Sequence, residues 1–234
     1  MKKVNTLGLL FLFFCGLNIS NAQEAIPKNS LKPQTIGFYT GGQASTNGLG
    51  AHIGYVASKR FTFRTGFETL KLNRNFGFEE NDISYDANLH YKTGSVFLLA
   101  DFYYTKRLYL TIGGLVNSFQ PNIEGYATSD LQYGDITIPA KDVGTFGFTV
   151  EPGFKYSPYA GLGVRRFLGK KQKVSYSFEA GMYYMGAPKL SIETTGLLSP
   201  TGDPDHGQEE YLEDQFSAYK IYPVAKFNFA FKIF

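Results

Sequence analysis

Cysteine occurs once in the 234 residues, at Cys15, and tryptophan not at all. Cys15 lies in the apolar run Leu7 to Leu17, behind Lys2 and Lys3 and ahead of the small residues Ser20 and Ala22. That three-part pattern predicts a secretory signal peptide, residues 1–22, cleaved after Ala22. Its removal leaves no thiol, so a disulfide framework, a zinc–thiolate site and a cysteine nucleophile are excluded. Phe14 stands where a lipidation signal at Cys15 needs a small residue. No later run reaches eighteen apolar residues, which excludes a helical membrane protein. Of the three histidines, His52, His90 and His206, no two fall at metal-ligand spacing, so no metal is expected. The net charge of +3 is too small to argue for nucleic acid. Phosphate-cradling and dinucleotide motifs are missing too, so no cofactor is expected.

What is present is alternation. The 17 Tyr, 22 Phe and 26 Gly recur in stretches whose apolar residues fall at every second position. After a polar lead-in, 23–34, strands are predicted at Thr35 to Ala44, Leu49 to Ala57, Phe61 to Leu72, Ala87 to Tyr104, Leu108 to Asn117, Lys155 to Phe167, Val174 to Gly186 and Tyr219 to Phe234. Asn47-Gly48 supplies the positive φ of a tight hairpin. Residues 73–86 read as a polar loop. Within 118–154, residues 135–139 and 145–150 alternate enough for a short hairpin or strand extensions, and Gln208 to Gln215 suits one or two helical turns. The last strand places Ile221, Ala225, Phe227, Phe229, Phe231 and Ile233 on one face, against Lys226, Asn228 and Lys232 on the other. Such a greasy face would be an aggregation-prone edge in water. From pattern alone a soluble sandwich, burying the Phe-rich faces between two sheets, is the alternative.

Charge is segregated along the chain. Sixteen of the 20 acids fall in 74–87, 118–154 and 187–216, the long connections. Three short turns are basic: Lys59-Arg60, Lys106-Arg107, and the run from Arg165-Arg166 through Lys170, Lys171 and Lys173. Glu68, Asp101 and Glu179 each stand alone in a strand, Glu68 in phase with Arg64 and Gly66, Glu179 in phase with Ser177 and Gly181, and Asp101 amid apolar neighbours.

The segments GLGAHIGY (48–55), FTFRTGFETL (61–70), LLADFYY (98–104), SPYAGLGVRR (157–166), FEAGMYYMGAPKLSI (178–192) and YPVAKFNFAFKIF (222–234) resemble the successive strands of small Gram-negative outer-membrane β-barrels of the OmpA-like or "porin family" kind. The closing strand departs from that pattern at Lys232, where an aromatic is favoured. The resemblance covers roughly 35–234 and implies an all-β, eight-stranded antiparallel transmembrane barrel with long extracellular loops and short periplasmic turns, located in the outer membrane. It also implies contact with outer-membrane lipid and lipopolysaccharide, and recognition by the assembly machinery through Phe227, Phe229, Phe231 and Phe234. It does not fix an activity.

In an eight-stranded barrel the interior is just wide enough for side chains to fill it. The inward phase carries Arg64, Glu68, Asp101, Arg165, Glu179 and Lys226, three bases against three acids, so an internal ion network that plugs the lumen is expected. The functional expectation is a monomeric structural or surface-interaction protein with an unknown extracellular ligand or envelope partner. A small transporter is the alternative. Catalysis is not expected: His90 near Ser84 and Ser95 is the one neighbourhood resembling a nucleophile and base, and it lacks a hydrolase motif. Asp203 and Asp205 offer a partial calcium loop, better read as a solvated segment, since Gly207 stands at the third ligand position.

Overall fold

The computed structural model describes residues 36–81, 83–169, 173–203 and 208–233. The segments expected to be a signal peptide, 1–22, and a polar lead-in, 23–34, lie outside the described residues, as do Lys170, Lys171, Asp205, His206 and Phe234. The described residues form thirteen strands: β1 (Gly37–Ser45), β2 (Gly48–Val56), β3 (Phe61–Glu80), β4 (Ile83–Tyr103), β5 (Leu108–Asn117), β6 (Asn122–Ala127), β7 (Leu131–Tyr133), β8 (Ile136–Ile138), β9 (Thr145–Glu151), β10 (Tyr156–Leu168), β11 (Val174–Tyr184), β12 (Lys189–Thr194) and β13 (Ile221–Lys232). Among the described residues there are also two helices, α1 (Ala140–Val143) and α2 (Gln208–Phe216), and a 3-10 segment, Gly196–Gly202.

Eight strands close into an antiparallel ring in the order β1, β2, β3, β4, β5, β10, β11, β13. Closure falls on β13, which pairs with β11 on one side and with β1 on the other, Tyr39 facing Lys232 and Ser45 facing Lys226. The ring has no edge, which answers the aggregation hazard of a Phe-rich strand. Side chains alternate strictly across its wall. On β13, Phe227, Phe229 and Phe231 point outward while Val224, Lys226, Asn228 and Ala230 are buried. On β10, Leu162 and Val164 are outward and Tyr159, Gly161, Gly163 and Arg165 inward. An outward belt of Phe, Leu, Ile and Val around a charged interior suits lipid outside and inverts the usual order of a soluble protein.

The two tight connections at 57–60 and 104–107 share one device. Ser58 Oγ accepts from the backbone N–H groups of Arg60 and Phe61, and Thr105 Oγ1 accepts from those of Arg107 and Leu108. The repeated order, hydroxyl residue then Lys-Arg, thus makes the same side-chain-capped turn twice.

At the opposite end the strands are unequal, and one expectation is overturned. Residues 73–86 are not a loop: β3 runs on to Glu80, β4 begins at Ile83 rather than Ala87, and the two stay in register from Phe61 opposite Phe102 to Glu80 opposite Ile83. Asn81, at φ 50, turns the tip, a conformation that asparagine tolerates. The polar composition misled because one face of this hairpin is polar throughout. The other face is largely apolar, interrupted by Arg74 and Glu80, with Phe78 stacked on Tyr85 at 5.2 Å between ring centroids. β6 pairs with the outer half of β4, β9 with β6, and β12 with β9, widening the hairpin into a five-stranded sheet above the ring. Ile83, Tyr85, Ala127 and Val143 form its core, joined by Leu131, Ile138, Phe146 and Leu198. The segments 118–154 and 187–216 are therefore largely structured. Within them 131–138 forms the β7–β8 hairpin and 145–151 a sheet strand. The free edge of β12 is covered by α2: Glu213 Oε1 accepts from Leu190 N at 2.9 Å and Glu209 Oε1 from Ile192 N at 2.6 Å. Four residues apart on a helix, the two carboxylates share a face and match alternate N–H groups of the edge.

Candidate functional site: the charged lumen

The inward phase brings Arg64 (β3), Asp101 (β4), Arg165 (β10) and Glu179 (β11) together near the tight-turn end. Asp101 is the hub. Its Oδ1 accepts from Arg64 Nε at 3.1 Å and from Thr111 Oγ1 at 2.8 Å, and its Oδ2 meets Arg165 Nη2 at 3.5 Å. Arg64 Nη2 reaches across to Glu179 Oε2. Glu179 also accepts from Tyr109 at 3.1 Å and Tyr159 at 2.6 Å. The Arg165 guanidinium is boxed by Tyr39, Tyr103 and Tyr109, with ring centroids 5.2, 5.5 and 5.5 Å away. A guanidinium is weakly hydrated and stacks on aromatic faces, so this box suits Arg better than Lys.

Nearer the loop end a second hub forms on Glu68. It accepts from Lys226 Nζ at 3.3 Å, Gln43 Nε2 at 2.8 Å, Ser45 Oγ at 2.9 Å, Asn47 Nδ2 at 3.0 Å and Ser95 Oγ at 3.0 Å. Lys226 also lies 4.7 Å from the Phe97 ring and 5.3 Å from the Tyr159 ring. It stands directly opposite Glu179 in the β11–β13 register, so Tyr159 and Lys226 join the two hubs. Above them Phe97, Leu115, Tyr159, Tyr183, Met185 and Val224 form an apolar layer, with Tyr222 stacked on Tyr183 at 4.9 Å.

All six charged residues are at most 5% exposed. Three acids against three bases leave the cluster neutral, and multiple donors on each carboxylate offset the cost of taking it out of water. The glycines of the wall make room for the rings. A Cβ at Gly163 would stand 2.1 Å from Tyr109 Cζ, and one at Gly54 would stand 2.2 Å from Tyr39 Cζ.

Several members of the cluster carry no signal in the sequence. Asn47, fully buried, reads as a turn residue of an Asn-Gly pair, yet its amide reaches Glu68 and Ser95. Thr111, Tyr109, Tyr159 and Gln43 fall on inward phases but are chemically ordinary there, so parity was the one available clue. Conversely, His90 and Ser95 are kept apart. They occupy opposite faces of β4, His90 bonding to Asn73 at the sheet surface and Ser95 donating to Glu68 inside. Among the described residues no group of three His, Cys, Asp or Glu could hold a metal ion. Of the insertion residues, Phe227, Phe229 and Phe231 are 43%, 37% and 50% exposed on the belt, while Phe234 lies outside the described residues.

Two crystal structures share this architecture. CarO2 of Acinetobacter baumannii superposes with a TM-score of 0.55 at 17% identity, over 85% of this chain and 100% of the other. CarO of the same organism gives 0.53 at 17% identity, over 88% and 100%. The fold is that of a small outer-membrane β-barrel. At this identity the likeness concerns the fold alone. No protein-family model and no curated protein matches the barrel in sequence.

Proposed function

We propose that the chain, exported by a signal peptide cleaved after Ala22, is a closed, non-catalytic outer-membrane barrel that anchors a surface platform, the five-stranded sheet over β3, β4, β6, β9 and β12. In this reading the loop end faces outward from the cell and the basic tight turns face the periplasm. The observation that carries the closed state is the neutral cluster of six buried charges spanning the lumen between β3, β4, β10, β11 and β13. An interior of eight strands is filled by side chains of this size. Each charge is held by partners from other strands, so opening a water path means breaking several ion pairs at once. A structural, surface-interaction role follows for a barrel whose interior is committed to its own stability and whose folded mass beyond the ring, among the described residues, lies at one end. Its dealings with the assembly machinery would run through the Phe-rich face of β13, and its working state is a monomer.

The test is conductance. The purified barrel in planar bilayers is expected to show no steady channel, while the double variant Asp101→Ala with Glu179→Ala is expected to leak. Stable ion-selective channels in the unaltered protein would sink the closed-barrel reading and promote a small transporter.

A further inference from the structure

We propose that the outer face of β3, β4, β5 and β10 is a binding site for one phosphorylated lipid of the outer leaflet, its phosphate on Lys71 and Lys92 and an acyl chain in the groove below. This rests on the membrane-barrel part of the reading above and not on the lumen being closed.

Two independent observations meet there. The first is a pair of like charges. Lys71 and Lys92 are direct cross-strand partners on the outward phase, both exposed. Like charges in that position oppose pairing, and neither lysine forms an ion pair among the described residues. The pair marks the change of surface along both strands. Toward the tight turns the outward residues are Phe67, Phe63 and Phe61 on β3 and Val96 and Leu98 on β4. Away from them come Asn73 and Asn75, and His90 and Asn88. The lysines thus stand at the border of the apolar belt, the level of lipid headgroups. Their immediate neighbours on this face, Asn73, His90 and Gln120, are not acids; the nearest carboxylates on the same face, Glu151 and Glu124, are engaged by Gln120 and Asn122 on the strands beyond.

The second observation is a groove of about 1030 Å³ in the belt, starting at Val96, Val116 and Tyr156 and walled by Phe63, Leu98 and Pro158. Gly114 leaves its floor open: a Cβ there would meet only Ser157 O, at 3.8 Å. From Lys92 to Val96 is four residues, roughly 13 Å along the strand, a span that a flexible lysine side chain shortens by bending toward the belt. A lipid with phosphate at its head and chains beneath fits both parts at once. An ammonium binds phosphate as a point charge, and two of them one register apart can share one phosphate.

The experiment compares lipid A with its dephosphorylated form, each added to delipidated barrel in detergent and read by native mass spectrometry. Wild type is expected to retain one phosphorylated lipid. Lys71→Gln with Lys92→Gln should weaken that retention roughly twenty-five-fold, two lysines each contributing on the order of a factor of five near an anionic surface, and leave the dephosphorylated lipid unaffected. Gly114→Leu, which fills the groove from an exposed site, should weaken both lipids. Folding of each variant is checked by its heat-modifiable migration. Equal retention of the two lipids by wild type, no loss in the lysine variant, no effect of Gly114→Leu, or a dimer closed over the groove would each overturn the proposal. A conducting barrel that still showed the lysine dependence would sink the closed-lumen reading and leave this one standing.

Discussion

The same two strands are amphipathic in opposite senses along their length. Within the ring, β3 and β4 turn Arg64, Glu68, Ser95 and Asp101 inward and Phe63, Phe67, Val96 and Leu98 outward. Beyond Lys71 and Lys92 the inward phase becomes Phe76, Phe78, Tyr85 and Ile83, and the outward phase Asn73, Asn75, Asn88 and His90. The backbone register does not change at the crossover. What changes is the solvent: lipid around the ring demands an apolar exterior, and water around the sheet demands the reverse. A strand's parity therefore says which residues share a face, and only the surroundings say which face is greasy.

Charges introduced outside should separate the two regions most sharply. Phe231→Asp places a carboxylate on the lipid side of the ring, at a cost of up to a few kcal/mol depending on depth. Loss of the protein from the membrane fraction is expected, whereas Asn75→Asp on the sheet should leave membrane yield unchanged. Equal yields would erase the distinction.

Inside, the expected effect is next in size. Glu179→Ala leaves Arg64 short of one partner and removes the acceptor of Tyr109 and Tyr159. About 3–5 kcal/mol of unfolding free energy should be lost, read by denaturant titration in lipid vesicles with membrane location unchanged. Tyr85→Ala should cost a similar or smaller amount, but only locally. About 3 kcal/mol of packing is removed from the sheet, so limited proteolysis should open 128–144 while the ring stays heat-modifiable. Co-operative loss of both parts would mean that they are one unit.

The smallest expected effect concerns the sheet's free edge. Glu209→Gln with Glu213→Gln keeps the hydrogen bonds to β12 but removes their charge, costing on the order of 1 kcal/mol. The change should show as faster amide exchange at Leu190 and Ile192 and nowhere in the ring. Unchanged exchange there would mean that α2 does not guard the edge.

Much of the ring was legible because lipid forces alternation. Tyr176, Phe178, Ala180 and Met182 on one phase of β11, against Ser177, Glu179, Gly181 and Tyr183 on the other, need no further information than period two. The outer hairpin was not legible, since Asn73 through Asp86 are rich in loop formers and its greasy phase is only Phe76, Phe78, Ile83 and Tyr85. In the lumen, parity tells which side chains turn inward but not who meets whom. Arg64 and Glu179 lie 115 positions apart, on strands that are not neighbours in the ring, and their meeting depends on curvature. Asn47 was hidden for another reason: as half of an Asn-Gly turn it already had a sufficient explanation.

The wall of the barrel is uneven. β1 and β2 have nine residues each, while β3 and β4 have 20 and 21. At about 3.3 Å per residue, the β3–β4 tip runs some 35 Å further along the strand than the neighbouring β1–β2 turn. On the orientation proposed here, the cell-surface sugar coat would bury the low rim and leave the tall one clear. Antibodies, phage and neighbouring cells would then encounter the tall side, where Glu79, Glu80 and Asn81 stand beside the segment Thr128–Ser129 that leads into the β7–β8 hairpin, before the β1–β2 turn, and variation between strains under such pressure should concentrate at that crest.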